Sequence, residues 1–395
     1  MSADAVTISD VTLERLADSR QLSAMVDGEH VWYRFPADLE VICRPEAFLG
    51  PALYEAMVRG VPVRVADDMP VSAQLLQSLP EVQSILNCWN SDLHIVPVEA
   101  QGAPDYPATD SIACCFSGGV DSSYTYACNR DAITHLLLVE GFAAGRGEAD
   151  DWQANIEARQ QFADAENKTL VAVSSNVTRF LGARRLSILL TFGGILCGLA
   201  AGLGFRQLLV PASHSYRNLI PSGSHPLVDP LWSTEKTTII HHGANATRNE
   251  KTEYVARHQY LLDQLQVCWF AGGKNCGTCG KCTRTALTLH LLGAKSERLP
   301  TYRGPEQLKP LRDIEAPTNL PYLEQLVELA DDVNETAIAR RLRRYVRRYR
   351  LRKAVSNLAG RILGARGRAY IRRLRPRPWH EVRATLESIN SSTGR

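Results

Sequence analysis

Between residues 111 and 214, short apolar runs alternate with longer segments of helical spacing, and this alternation constrains the fold more than any other feature. "SIACCF", "THLLLVEGF", "TLVAVSSN" and "RQLLVPASH" are apolar at successive positions rather than at every second one. That pattern belongs to strands covered on both faces, and such strands form parallel sheets joined by helical crossovers. The expected class is therefore α/β, a parallel sheet with helices on both faces. Ligands of such sheets bind beyond the carboxyl ends of the strands.

The flanks read differently. Residues 1–108 have the pattern of a small α+β domain. Its strands are expected at "HVWYRFP" and "LEVICR", and its helices at "EAFLGPALYEAMVRG" and "SAQLLQSLPEVQSILNCW". "VEAQGAPDYPATD" (98–110) reads as a linker. Residues 109–295 hold the alternating domain, which closes with a helix at "TRTALTLHLLGA", and 296–395 form a helical, basic C-terminal extension with a helix at "NLPYLEQLVELADDV".

With 45% hydrophobic and 22% charged residues, the chain has globular composition. "MSADAVTISD" has neither the basic nor the apolar region of a secretory signal, so a cytoplasmic protein is expected. Its ten cysteines are then reduced thiols or metal ligands rather than disulfides. Leu186 to Phe205 carries no charge over about the length of a membrane span, yet the same run suits a helix buried against a sheet, which is the expectation here. No transmembrane segment is expected.

The stretch after the first apolar run, "SGGVDSS", removes side chains where a strand turns into a helix. Gly118 and Gly119 allow a tight wrap, Ser117, Ser122 and Ser123 offer hydroxyls, and a helix expected from about Ser122 adds its positive end. These are the parts of a phosphate cradle. Asp121 would hold Mg²⁺ or orient the loop. Neither the P-loop motif G-x-x-x-x-G-K-[ST] nor a G-x-G-x-x-G after the first strand is present.

A second constellation, "VCWFAGGKNCGTCGKCTR", supplies Cys268, Cys276, Cys279 and Cys282, with Gly277 in a knuckle position. Thiolates at this spacing can close a tetrahedron about one ion. Zn²⁺ is expected ahead of an iron–sulfur cluster, in a structural role. Cys43, Cys88, Cys115, Cys128 and Cys197 read as small apolar packing groups.

"SGGVDS" after an apolar strand resembles the signature of the PP-loop ATP pyrophosphatases, whose fold is the adenine nucleotide α-hydrolase type. The resemblance implies cleavage of ATP between the α- and β-phosphates, leaving an adenylated substrate and pyrophosphate. With "EKTEY" and the four cysteines following, residues 110–295 resemble the 7-cyano-7-deazaguanine synthase family and its elongated defence-associated relatives. That resemblance implies ATP-dependent activation of a 7-carboxy-7-deazaguanine-like carboxylate. Attack by ammonia or another amine then gives an amide, nitrile or conjugate, and the enzyme is an AMP- and pyrophosphate-producing C–N ligase. It also implies phosphate contacts by Lys251 and by Arg184 or Arg185, alongside the turn 117–123.

The family's tyrosine–proline–aspartate–cysteine–arginine substrate motif is missing. "SHSYRNLIPSGSHPLVDPLWSTE" stands in its place, offering His214, Arg217, Asn218, His225 and Asp229 as substrate contacts.

The net charge of +3 hides an asymmetry: Arg340 to Arg377 holds sixteen Lys and Arg with no carboxylate, and subtracting sixteen from +3 leaves −13 elsewhere. Ile338, Leu342, Tyr345, Tyr349, Val355, Leu358 and Ile362 recur at near-helical spacing, so one apolar face is expected. This segment would pack on the acidic body, or contact nucleic acid or an anionic membrane; a protein or RNA acceptor is thereby among the expected partners, as is a homodimer. Two rival functions share the turn: an RNA (tRNA)-modifying thiolase or amidase, and a non-catalytic nucleotide-binding scaffold. A thiolase needs a persulfide-carrying cysteine, for which Cys114 or Cys115 is the candidate, both inside a strand.

Overall fold

The computed structural model describes residues 4–66, 69–103, 109–142, 149–268, 274–312 and 319–362. Contacts group the chain into two units, Met1–Cys276 and Gly277–Arg395.

The first unit opens with β1 (Val6–Arg15), β2 (Ser19–Val26) and β3 (Glu29–Pro36), then α1 (Glu46–Arg59), β4 (Val63–Val65), β5 (Val71–Ser72), α2 (Ala73–Trp89), β6 (Val98–Glu99) and β7 (Gly102–Ala103). Strict alternation follows: β8 (Ile112–Cys115), α3 (Val120–Cys128), β9 (His135–Val139), α4 (Ala149–Ala165), β10 (Thr169–Ser175), α5 (Val177–Ala183), α6 (Ile188–Gly202) and β11 (Gln207–Pro211). β12 (Thr238–His242), α7 (Arg248–Ala256) and α8 (Gln259–Leu262) complete the unit.

Ten strands make one sheet in the order β12-β11-β8-β9-β10-β3-β2-β1-β4-β6. From β12 to β10 every pairing is parallel. The fold is thus α/β, with a large, mostly parallel central sheet flanked by helices.

The N-terminal strands do not stand apart. β1, β2 and β3 form an antiparallel meander, and β3 pairs antiparallel with β10 through Tyr33 and Arg34. One apolar core runs from Val6 to Ile239. Residues 1–108, expected as their own domain, therefore share sheet and core with the alternating region.

"HVWYRFP" is β3, but "LEVICR" forms no strand; its Ile42 N–H donates to the Gly202 carbonyl at 2.7 Å. β1 escapes the sequence pattern because an irregularity between Ser9 and Thr12 shifts its alternation in mid-strand.

The uncharged run from Leu186 to Phe205 is α6, and its fifteen residues reach only about 22 Å against the ~30 Å of a hydrocarbon layer. It is a core helix, as its pattern suggested. A Cβ on Gly50 of α1 would come 2.8 Å from the Gly194 carbonyl carbon, and one on Gly198 would come 2.3 Å from the Glu46 oxygen. The glycines thus let α1 and α6 pack backbone to backbone. No helix among the described residues is long and apolar enough to cross a membrane.

The second unit contains α9 (Gly280–Leu291), α10 (Leu320–Asp332) and α11 (Thr336–Ile362) around a small core that includes Leu287, Leu308, Leu326 and Leu342. The single apolar face expected for α11 is broken. Ile338, Leu342 and Tyr345 are buried, whereas Val355 and Leu358 are 65% and 59% exposed. The six-residue step from Tyr349 to Val355 rotates the stripe by about 240° around the helix, onto its far side. Residues 363–377 of the basic segment lie outside the described residues.

Candidate functional site

The order β10-β9-β8-β11-β12 means that the chain winds outward from β8 one way to β10, then returns to β8's other side for β11. The reversal falls between β8 and β11, where open α/β sheets open a crevice beyond the strand ends. The segment leaving β8 there is the glycine turn.

The turn is held from both sides. Phe116 N–H still donates to Leu137 O at 2.8 Å, and the chain then bends at Gly118, whose φ is +73°. A Cβ at Gly118 would fall 1.4 Å from Nη1 of Arg159. Arg159, on α4, is fully buried and donates to the carbonyls of Ser117 at 3.1 Å and Gln264 at 3.0 Å. Gln266 N–H donates to Gly118 O at 2.8 Å, and Gln264 Nε2 to Ser123 Oγ at 2.9 Å. Ser122 Oγ donates to Gly119 O at 3.1 Å, so this serine of α3's first turn faces the loop it leaves. α3 starts at Val120, presenting its amino end beyond the sheet.

Asp121 carries the turn's charge chemistry. It pairs with Arg248, and its Oδ1 lies 3.7 Å from Lys251 Nζ. Both cations sit on α7, which the sequence starts with a capping box: Thr247 accepts from Glu250 N–H, and Glu250 accepts from Thr247 N–H at 2.6 Å. Residues 248 and 251, three apart, share a helix face. Lys251 is 1% exposed and donates to Ala212 O, just past the carboxyl end of β11, at 2.6 Å. Burial pulls its pKa below the ordinary lysine value, and the Asp121 charge opposes that fall.

The residues named from sequence separate into groups. Ser117, Gly118, Gly119, Val120, Asp121, Ser122, Ser123 and Lys251 come together. His214 and Asn218, half-buried, and the exposed Arg217 lie on the loop after β11, which begins beside the carbonyl held by Lys251. Asp229 is engaged elsewhere. It is fully buried and accepts from Ser224 Oγ and His241 Nδ1, each at 2.7 Å, and from His225 N–H at 3.1 Å. It ties the loop's far end to β12.

Arg184 is also engaged elsewhere, pairing with Glu29 and with Glu55 at 2.8 Å and lying over the Phe180 ring. None of these belongs to the glycine-turn group.

Sequence reasoning missed Arg159, Arg248 and Glu140. The signal for Arg248 was the T-x-x-E box one helical turn before Lys251. Glu140 follows the last residue of β9, accepts from Ser175 N–H at 3.4 Å, and has its pKa raised by burial. Its signal was a carboxylate directly after a fully apolar strand.

The sulfurs of Cys268, Cys276, Cys279 and Cys282 all lie within 4.8 Å of one another. A tetrahedral zinc–thiolate site has S···S edges of about 3.8 Å, so the four fit an ion such as zinc. Local hydrogen bonds shape the cluster: Asn275 Oδ1 accepts from Val267 N–H at 2.8 Å and Cys268 N–H at 3.1 Å, and Cys279 Sγ accepts from Cys282 N–H at 3.5 Å. Of the cysteines expected merely to pack, Cys197 is buried, but Cys43, Cys88 and Cys128 are exposed. Cys88 and Cys128 fall at the ends of α2 and α3, and Cys43 in the connection before α1, which a residue type alone does not reveal. No family model, curated protein or solved structure matches the chain.

Proposed function

We propose that this chain is an ATP-dependent ligase of the PP-loop type that adenylates a small carboxylate, of the 7-carboxy-7-deazaguanine class, and passes the acyl group to an amine. The observation that carries the reading is the glycine turn at the sheet's reversal point, with Asp121 set between Arg248 and Lys251.

A carboxylate is a poor electrophile until its oxygen becomes part of a good leaving group. ATP supplies that group when the carboxylate attacks the α-phosphorus and pyrophosphate departs. Charge builds on the departing oxygens, and the amino end of α3 with the turn that leads into it, Arg248 and Lys251 are arranged to receive it. Asp121 offers the single carboxylate that Mg²⁺ needs beside phosphate oxygens and water, and the ion would offset charge on the leaving group. His214, Arg217 and Asn218 are the candidates to seat the carboxylate substrate on the loop after β11. The four cysteines would hold zinc as a structural clamp, with every coordination position filled by sulfur.

Thiolation is disfavoured by chemistry. Cys114 is buried, and burial, with the nearby Asp229 charge, pushes the Cys115 thiol up to about 12. A persulfide carrier needs an accessible thiolate.

The test is product analysis of the purified protein with ATP, Mg²⁺, ammonia and 7-carboxy-7-deazaguanine. AMP together with an amide or nitrile of the base is the expected result; ADP and phosphate would overturn the reading.

A further inference from the structure

Among the described residues, none covers one face of α11. Thr336–Ile362 contains no carboxylate, and nine Lys and Arg stand between Arg340 and Lys353. Arg341, Arg343 and Arg350 pair with Glu306, Asp331 and Glu324. The exposed Arg340, Arg344, Arg347 and Arg348 instead share an arc of about 100° with Leu351, Val355 and Leu358, at one hundred degrees per residue. Those three apolar side chains are 67%, 65% and 59% exposed.

We infer that this face of α11 docks on an anionic lipid bilayer. Arginines in one arc, followed by apolar residues in the same arc, are what a helix lying in a membrane interface presents: guanidinium groups reach the lipid phosphates while the apolar stripe enters the acyl boundary. The complementarity is specific. A second copy of the chain docked through the same face would bring arginine against arginine. RNA would engage the arginines but leave Leu351, Val355 and Leu358 in water. An anionic bilayer satisfies both halves of the stripe.

The test is flotation of the full chain with vesicles of phosphatidylcholine alone and of phosphatidylcholine mixed with phosphatidylglycerol. Binding is expected only to the mixed vesicles, falling steeply with salt. Leu351→Ser/Val355→Ser/Leu358→Ser and Arg340→Gln/Arg344→Gln/Arg347→Gln/Arg348→Gln should each weaken it by at least about tenfold. These side chains are exposed, so far-UV circular dichroism and melting temperature serve as controls and should not move. No flotation, equal flotation on both vesicles, or an apolar variant that floats like the parent would overturn the inference. Binding of single-stranded RNA through the arginines without vesicle binding would also overturn it, and would assign the face to nucleic acid.

Discussion

Replacing Gly118 with alanine tests the architecture of the turn without reference to any ligand. The new Cβ would fall 1.4 Å from Arg159 Nη1, so the guanidinium must leave its place. Arg159 is fully buried and donates to Ser117 O and Gln264 O. Losing two bonds from a charged donor costs about 1.5 kcal/mol each, and holding alanine at positive φ adds about 1 kcal/mol. The expected loss is about 4 kcal/mol, or roughly 10 °C in melting temperature for a unit of this size.

Gly28→Ala is the internal control. Gly28 sits in the Asp27–Gly28 hairpin between β2 and β3 at φ +77°, with nothing within 4 Å of its Cβ position. It should lose only the backbone contribution, about 1 kcal/mol. Urea unfolding of both variants and the parent separates the two costs. If Gly118→Ala is no worse than Gly28→Ala, the claim that Arg159 locks the turn is refuted.

Other expectations follow from the same contacts. Burial places the folded-state pKa of Lys251 below its unfolded value, so between the two the unfolded chain holds a proton that the folded chain has released. Stability should therefore climb with pH through that window up to the ordinary lysine value of 10.5, and Lys251→Met should flatten the climb, as read by denaturant unfolding across pH. Arg184→Met should lower stability by about 2 kcal/mol, because Glu55, 7% exposed, keeps only its longer pair with Arg59 at 3.6 Å, yet leave nucleotide affinity within about twofold by titration calorimetry. Cys276→Ser or exhaustive chelation should release one zinc per chain, as read by atomic absorption, and lower the melting temperature.

What the sequence revealed was what short-range chemistry encodes. The glycine turn was legible because Gly118 must take a backbone that other residues resist, directly after an apolar strand. The four cysteines were legible because their ligand spacing is local. Arg248 was not, since its meaning depends on Asp121, 127 positions away. Arg159 was not legible either, since it reaches the Ser117 and Gln264 carbonyls only once the fold brings those distant segments together. Arg184 and Asp229 were placed in the site by resemblance and loop position, but tertiary carboxylate and histidine partners hold them elsewhere. The N-terminal strands looked separate because two residue pairs between β3 and β10 join them to the sheet, and no local pattern announces such a pairing. In α11, apolar spacing was read through a six-residue step that changes faces.

The central claim is that the turn after β8 serves cleavage of ATP between its α- and β-phosphates. Carboxylate-dependent exchange of labelled pyrophosphate into ATP measures that step directly, before any amine is added. The account predicts exchange with 7-carboxy-7-deazaguanine that is abolished in Asp121→Asn. Release of labelled γ-phosphate as inorganic phosphate, with ADP and no exchange, would contradict it.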